Sequence, residues 1–515
     1  MALPLAMIGV GMAMTLGLGF LASQATSTAM TRNVVNRKAA RSIAESGLTL
    51  AITYVRSNSG WRTAQTHGAW LAPHAFGGGT FRLQFEDPGD ANLSNNSADP
   101  VTLTSVGTID GASFRVSATV TPGSQGCSSG GPVSITGATR YVRTSGSDAN
   151  NGMTPATAWR TIDFAAMMVS FGDGVYVGAG TYNEVVQSAA HGTASDPIWF
   201  IADTLGTQTG DAGAVVIDGG GQPAFQVSHD NIRIVGFRLT GRYGAEWLNC
   251  FGGVLRECEL DGSADQGVRV DLAELEVQNC LIHDNGINGI YVTDLSTITV
   301  TDTRIWGNAH HGINRWDGSA CSITVTRCDL YNNGRSGLHL SMRSGGTCAL
   351  TNCLIYGNGR QGVNQTGNDG STVTIWHCTI ATNGERGIFL QSNSTSIVRN
   401  SIVVWNQRGL HVNGGSMTHD HNIVFGNTVA DYQGTSAGLA EINSNPLFVG
   451  ALFIGGGDYH LATGSPAIDS GTNASAVTTL DCDCGGRPAG AGWDIGYDEV
   501  GSAAQGFSLI WNEQP

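Results

Sequence analysis

In Ser322-Ile-Thr-Val-Thr326 and Gly337-Leu-His-Leu340, as in many short pieces around them, apolar residues alternate with polar ones. A period of two belongs to strands rather than helices. The pieces recur inside one phrase: Cys280-Leu-Ile-His-Asp-Asn285-Gly-Ile-Asn-Gly289-Ile, then Thr303-Arg-Ile-Trp-Gly-Asn308-Ala-His-His-Gly312-Ile. Further copies start at Cys328, Cys353, Cys378 and Ser401, and a last echo is Ile423-Val-Phe-Gly-Asn427. Successive asparagines lie 23, 25, 25, 25, 23 and 21 residues apart. A fixed period of this size marks a solenoid, in which each unit buries its apolar face only by stacking on its neighbours. Two or three short strands per unit make each unit a rung of a parallel β-helix, with rungs about 4.8 Å apart.

Stacking turns equivalent positions into columns. Asn285, Asn308, Asn333, Asn358, Asn383, Asn406 and Asn427 form one, expected to be an internal ladder whose amides satisfy each other and the buried turn backbone. Gly289, Gly312, Gly337, Gly362 and Gly387 form another, expected to need a positive φ. Cys258, Cys280, Cys328, Cys348, Cys353 and Cys378 read as a column of buried thiols filling a tight core.

The repeated Asn-Gly-x-x-Gly-Ile phrase resembles the right-handed parallel β-helix of the pectate-lyase-like superfamily. The entry segment Tyr141 to Ile162 and Gly172-Asp-Gly-Val-Tyr-Val-Gly-Ala-Gly-Thr-Tyr182 are similar to the opening of many secreted members. Asn445-Pro-Leu-Phe448, Tyr459-His-Leu461, Gly464 to Gly471, Arg487-Pro488 and Asp494-Ile-Gly496 resemble the terminal region called choice-of-anchor Q. The superfamily includes lyases, hydrolases, epimerases, adhesins and spacers, so the resemblance implies a fold and leaves the activity open.

Ahead of the solenoid the pattern changes. Ala2 to Ala22 is an uncharged apolar run long enough to span a bilayer, and no charge appears before Arg32. Helical spacing continues to Arg56, which predicts one long N-terminal helix. Ala39 to Leu48, with Glu45 in Ala44-Glu45-Ser-Gly47-Leu48, resembles the signature of PilX-type type IV pilins. That resemblance implies a processed N-terminus at Met1 and self-assembly through the apolar helix. Gly9, Gly11, Gly17 and Gly19 would allow close helix approach, while Leu5 stands where main-fibre pilins carry glutamate. A plain membrane anchor fits the same run. Thr80–Phe85, Val101–Val106 and Ser113–Val120 alternate like an antiparallel sheet with one solvated face, as in a small pilin head.

The expected fold is therefore mainly β: a right-handed parallel β-helix preceded by a long hydrophobic helix and a small α+β head. The expected divisions are a helix over 1–56, the head over 57–122, a linker over 123–137, the β-helix over 138–435 and a C-terminal cap over 436–515.

Composition narrows the chemistry. A net charge of −15 argues against nucleic-acid partners. The single lysine, Lys38, precedes the solenoid, which excludes a lysine base from it. Asp294 and Asp317 on adjacent rungs offer a carboxylate pair, although turn aspartates are common. No spacing of the CxxC type signals zinc, and Cys482 and Cys484 are the more exposed candidates for pairing or metal. No cofactor is expected; Ca²⁺ is the one ion that the resemblance leaves open. Two columns are richer: Arg335, Arg360 and Arg386 seven or eight places into their rungs, and His339 and Asn364 eleven places in, flanked by Arg315 and Trp316. If these point outward they form a polar, aromatic strip suited to sugars, and arginine forks suit carboxylates or sulfates. A merely solvated face would read the same way.

The leading functional expectation is a structural subunit of a type IV pilus-like filament or surface appendage displaying a glycan-binding β-helix. It implies passage through the inner membrane, self-association, contact with other pilins and contact with extracellular polysaccharide. The alternative is an anchored polysaccharide lyase or hydrolase.

Overall fold

The computed structural model describes residues 32, 36–41, 43–44, 46–48, 50–51, 55, 61–76, 78–87, 91–93, 101–120, 132–316, 320–341, 345–366, 370–391, 393–449 and 458–501. The apolar run Ala2 to Ala22, with Met1, Leu5, Gly9, Gly11, Gly17 and Gly19, lies outside these residues, as does Glu45. The expected long N-terminal helix is thus not seen in full; among the described residues no helix is long and apolar enough to cross a membrane. Contacts divide the chain into two units at residue 123.

In the first unit, strands β1 (His74–Phe76), β2 (Gly79–Glu86), β3 (Val101–Ile109) and β4 (Ala112–Val120) form an antiparallel meander. Described positions between 36 and 55 are helical, and Ala40, Ile43, Ala44, Leu48 and Ala51 are buried in one core with Phe81, Leu83, Phe85, Leu103 and Val116. Alternation in the strands supplies one apolar face and the i, i+3, i+4 spacing of the helical residues supplies the other. The two surfaces meet at Gly107, where a Cβ would stand 2.2 Å from the Ala40 carbonyl oxygen and 2.5 Å from the Ala44 amide nitrogen.

The second unit is a right-handed parallel β-helix of about eleven turns. Each turn contributes one strand to each of three parallel sheets. The first sheet has 12 strands, from Thr139–Val142 to Ser416–Asp420. The second has 11, from Gly180–Tyr182 to Ile423–Phe425, and the third has 11, from Val186–Gln187 to Ala430–Gln433. The stack thus starts well before the recurrent phrase. Register is strict: Ile298 pairs with Ile323 and Ile305 with Leu330, so inward Ile, Val and Leu stack from rung to rung into one continuous core.

Two single-residue turns in the left-handed region bend each rung. One lies just before the Cys/Thr/Ser column, at Asn279, Asp302, Arg327, Asn352, His377 and Asn400. The other lies just before the asparagine column, at Asp284, Gly307, Asn332, Gly357, Thr382 and Trp405. Asn, Asp and Gly reach that region most readily, which accounts for their frequency here. The glycines of the repeated phrase do something else. Gly289, Gly312, Gly337, Gly362 and Gly387 do not adopt positive φ; a Cβ on any of them would meet the next rung's glycine carbonyl oxygen at 2.6 to 3.1 Å. They are required by closeness, not by the turn.

The asparagines form an unbroken internal ladder. Asn285 Nδ2 donates to Asn308 Oδ1 (2.9 Å), Asn308 to Asn333 (3.0 Å), Asn333 to Asn358 (3.0 Å) and Asn358 to Asn383 (2.9 Å). Asn383 donates to Asn406 (3.1 Å) and Asn406 to Asn427 (3.1 Å), where Asp431 Oδ1 ends the series at 2.8 Å. The cysteines Cys258, Cys280, Cys328, Cys348, Cys353 and Cys378 are free and buried. Their column tolerates Thr303 and Ser401 because what it needs is a small donor. Cys328 Sγ donates to Thr326 O at 3.3 Å, Thr303 Oγ1 to Thr301 O at 2.9 Å and Ser401 Oγ to Arg399 O at 2.9 Å. Cys348 belongs elsewhere, facing inward from the first sheet beside Ile323.

After Gln433 the described residues hold no further helix or strand, only isolated bridges. This segment folds back along the outer side of the second sheet, where Tyr459, Leu461, Ala467, Ile495 and Tyr497 bury Leu354, Ala381, Ile402 and Val404. Arg487, fully buried, pairs with Glu499 at 3.2 Å and donates to Gly496 O at 2.9 Å.

Candidate functional site

The third sheet's outer side carries the strip. Its register aligns Tyr291, Asn314, His339, Asn364 and Phe389 in one outward column. Strand alternation sends the next residue inward and the one after outward again, and this separates Arg315 from Trp316. Arg315 pairs with Val292 and Leu340, is 0% exposed and lies in the interior; it is not part of any binding strip. Trp316 is outward, 54% exposed, with its ring 5.7 Å from the His339 ring.

The arginines occupy two columns rather than one. His310, Arg335, Arg360 and Glu385 are linked in series by backbone bonds: Arg335 N to His310 O (2.5 Å), Arg360 N to Arg335 O (2.7 Å) and Glu385 N to Arg360 O (2.6 Å). Arg335 and Arg360 are therefore exposed neighbours one rung apart. Arg360 Nε also donates to Glu385 Oε1 at 2.9 Å, whereas Arg335 has no carboxylate partner among the described residues. Arg386 stands one position along, level with Gln361. It donates to Glu385 (2.7 Å) and His411 Nδ1 (2.8 Å) and covers the Phe389 ring at 4.4 Å.

Beneath the exposed arginines lie two stacked imidazoles. His311 and His339 are parallel within 17° with centroids 4.6 Å apart. Burial, the neighbouring His339 ring and Arg335 hold His311 down at about 3; burial, Arg335 and Arg360 hold His339 at about 4. Both are neutral at pH 7. His339 Nδ1 lies 2.8 Å from Asn314 Oδ1, an acceptor, so Nδ1 carries the proton and Nε2 keeps its lone pair, 3.4 Å from Thr366 Oγ1. A neutral nitrogen base beneath two guanidiniums and beside an exposed indole is the chemistry of this face. Asn364 is half-buried above it.

Lower rungs continue the face with an acidic set that sequence reasoning missed. Arg269 donates to Glu246 Oε1 (2.6 Å) and Asp271 Oδ2 (2.8 Å), and Gln226 donates to Glu246 Oε2 (3.0 Å). The signal existed: the eleven-residue offset that reaches Tyr291 from Cys280 reaches Arg269 from Cys258. Asp294 is half-buried, and Asp317, its proposed partner, lies outside the described residues. On the first sheet a second concavity of about 260 Å³ is lined by Trp199, Arg233, Arg256 and Glu276. There the indole is buried under both guanidiniums, at 5.4 and 5.7 Å, and offers no free ring face.

Against known proteins, a family model described as the right handed beta helix region matches residues 213–374 and again 320–453. No curated protein matches. Among solved structures the chain is similar to pectate lyase Pel9A, at 18% identity over 71% of this chain and 96% of that one, with a TM-score of 0.53. It is also similar to an alginate lyase from Paenibacillus sp. str. FPU-7 (17% identity, 57% and 98% covered, TM-score 0.38). A third is XylC in complex with xylose (10% identity, 73% and 100% covered, TM-score 0.43). At such identities the likeness speaks to fold alone, and the last two fall too low to carry an argument. These similarities lend no support to the pilin-like N-terminus or to the choice-of-anchor Q resemblance.

Proposed function

We propose that the outer face of the third sheet binds an acidic, uronate-bearing polysaccharide and cleaves it by β-elimination. The observation that carries this is the exposed Arg335, without a carboxylate partner among the described residues, beside Arg360, set over the neutral His339 and next to the exposed Trp316. Trp316 stacks on a sugar ring. Arg335 and Arg360 take up the uronate carboxylate through charge-assisted bonds and favour the carbanion character that develops beside it. His339 Nε2 removes the proton α to the carboxyl, the bond from the β-carbon to the leaving glycosidic oxygen breaks, that oxygen is protonated, and a carbon–carbon double bond remains on the sugar. A histidine base suits a solenoid without lysine. The similarity in fold to pectate lyase Pel9A is consistent with this class of chemistry.

Incubation with pectate and alginate tests it, reading both binding and the absorbance of new unsaturated ends. Arg335→Ala with Arg360→Ala should abolish binding, and His339→Ala should leave binding while lowering turnover by about 10²–10⁴-fold. Binding without unsaturated ends would reduce the face to a lectin-like module; no binding to any uronate polymer would remove the proposal.

A second reading concerns the first unit, whose helical residues packed on an antiparallel meander favour a pilin-like head. On it the apolar run assembles copies into an extracellular filament after an inner-membrane stage, alone or with other pilins, and the β-helix is displayed outward. Electron microscopy of the assembled protein tests this; dispersed bilayer-bound monomers would refute it.

A further inference from the structure

Away from the strip, the fold-back segment gathers four metal-ligating side chains. His460, Cys482, Asp483 and Asp498 each present a ligand atom within 4.8 Å of all the others. They come from three separate stretches of a segment that has no helix or strand among the described residues. We propose that this is a structural site for a divalent, borderline-soft cation of the zinc type, which fastens the fold-back segment to itself against the second sheet.

Donor chemistry selects the ion. One thiolate, one imidazole and two carboxylates are a zinc-type set, whereas calcium takes oxygen ligands alone. Metal–ligand bonds of roughly 2.0–2.3 Å place tetrahedral donors roughly 3.3–3.8 Å apart, so the four atoms need only a modest contraction. Cys482 is a free thiol, and the neighbouring Cys484 is already committed to a disulfide.

The surroundings are built as a metal site's are. His460 Nε2 is 2.9 Å from Asp483 Oδ2, inside the cluster, while Nδ1 is 2.5 Å from Asp458 Oδ1, outside it. A carboxylate on the far nitrogen of a ligating histidine fixes its tautomer and raises its basicity. Asp498 is oriented by the Leu461 amide at 2.7 Å, and the Cys482 amide is held by Tyr497 O at 3.0 Å. Tyr497, with its ring 5.5 Å from His460, and Tyr459 and Leu461 close an apolar shell. Asp329 on the second sheet, paired with Arg304 at 3.3 Å, interacts electrostatically with both Asp483 and His460 where the segment meets the solenoid. A segment short of backbone ladders gains most from such a cross-link.

The test uses the full chain, stripped with chelator and titrated with Zn²⁺ alone and with Co²⁺ alone. One Zn²⁺ per chain, a rise in thermal midpoint with added Zn²⁺, and a thiolate-to-cobalt band with intense tetrahedral ligand-field absorption are expected. Cys482→Ser should remove the thiolate band. Asp458→Asn should keep the band and weaken Zn²⁺ affinity roughly 10–100-fold, and Asp498→Asn should weaken it further. If Cys482→Ser does not fold, the unaltered chain's cobalt spectrum and the Asp458→Asn affinity decide. Absence of stoichiometric Zn²⁺ binding, a cobalt spectrum without the thiolate band, or an affinity unchanged in Asp458→Asn would each overturn the site.

Discussion

At the scale of single residues, the strip is decided by where alternation and burial leave each charge. His311 and His339 sit at about 3 and about 4 in the folded chain, against an ordinary 6.5, because burial and nearby guanidiniums disfavour the imidazolium. The unfolded chain therefore binds protons that the folded chain refuses. Their contribution to stability is complete above about 6.5, declines as pH falls toward about 4, and levels off below about 3. Each ring adds about 1.4 kcal/mol per pH unit to the slope inside that window. Denaturant melts at a series of pH values should show the acid limb becoming shallower when both rings are replaced by asparagine. An unchanged slope would mean that the rings titrate normally. His283 works in the opposite sense: bonds to Asp284 and Glu259 outweigh burial and raise it to about 10, so its contribution is complete below about 6.5 and fades as pH rises toward 10.

At the scale of elements, the rung is held by its columns more than by any one strand, since many strands are only three residues long. Asn358 shows why. Its Oδ1 accepts from the Asn333 backbone and side chain at 3.1 and 3.0 Å, and its Nδ2 donates to Leu330 O and Asn383 Oδ1, both at 2.9 Å. Asn358→Leu keeps the branched shape and strands these partners in a dry interior, at about 1–3 kcal/mol for each group left unsatisfied. Urea denaturation should register the loss as a lower midpoint; a change below about 0.5 kcal/mol, the ordinary range for surface substitutions, would show that the ladder is decorative. The ladder and the glycine column depend on one another. A Cβ on Gly362 would lie 3.0 Å from Asn383 Nδ2 and 2.7 Å from Gly387 O, so the amide ladder can pass only where the neighbouring position is bare.

At the scale of the molecule, two units with separate cores predict two unfolding events. Gly107→Ala tests this, because its Cβ would collide with backbone atoms of the packed helical segment. Overpacking of this kind costs about 1–3 kcal/mol. Calorimetry should show the first unit's transition moving down and the solenoid's staying in place. A single transition that shifts as a whole would mean that the units melt together.

Much of this protein was legible before folding. Period-two alternation and the spacing of Asn285 to Asn427 are local or periodic, so they determine a stacked solenoid, its rung length and its internal amide column without knowledge of distant contacts. The N-terminal strands followed from the same alternation. What the sequence could not determine depended on which side of a rung faced what. Alternation alone assigns Arg315 inward, yet its charge argued for the surface, and only the packed interior shows the guanidinium accommodated there. The glycine column looked like a turn requirement because φ is invisible in sequence, whereas the close approach of rungs is a tertiary fact. The pairing of His311 with His339 needed two rungs in register. His460, Cys482 and Asp498 are brought together only by the fold-back of the C-terminal segment, since no periodicity links positions so unevenly spaced along the chain.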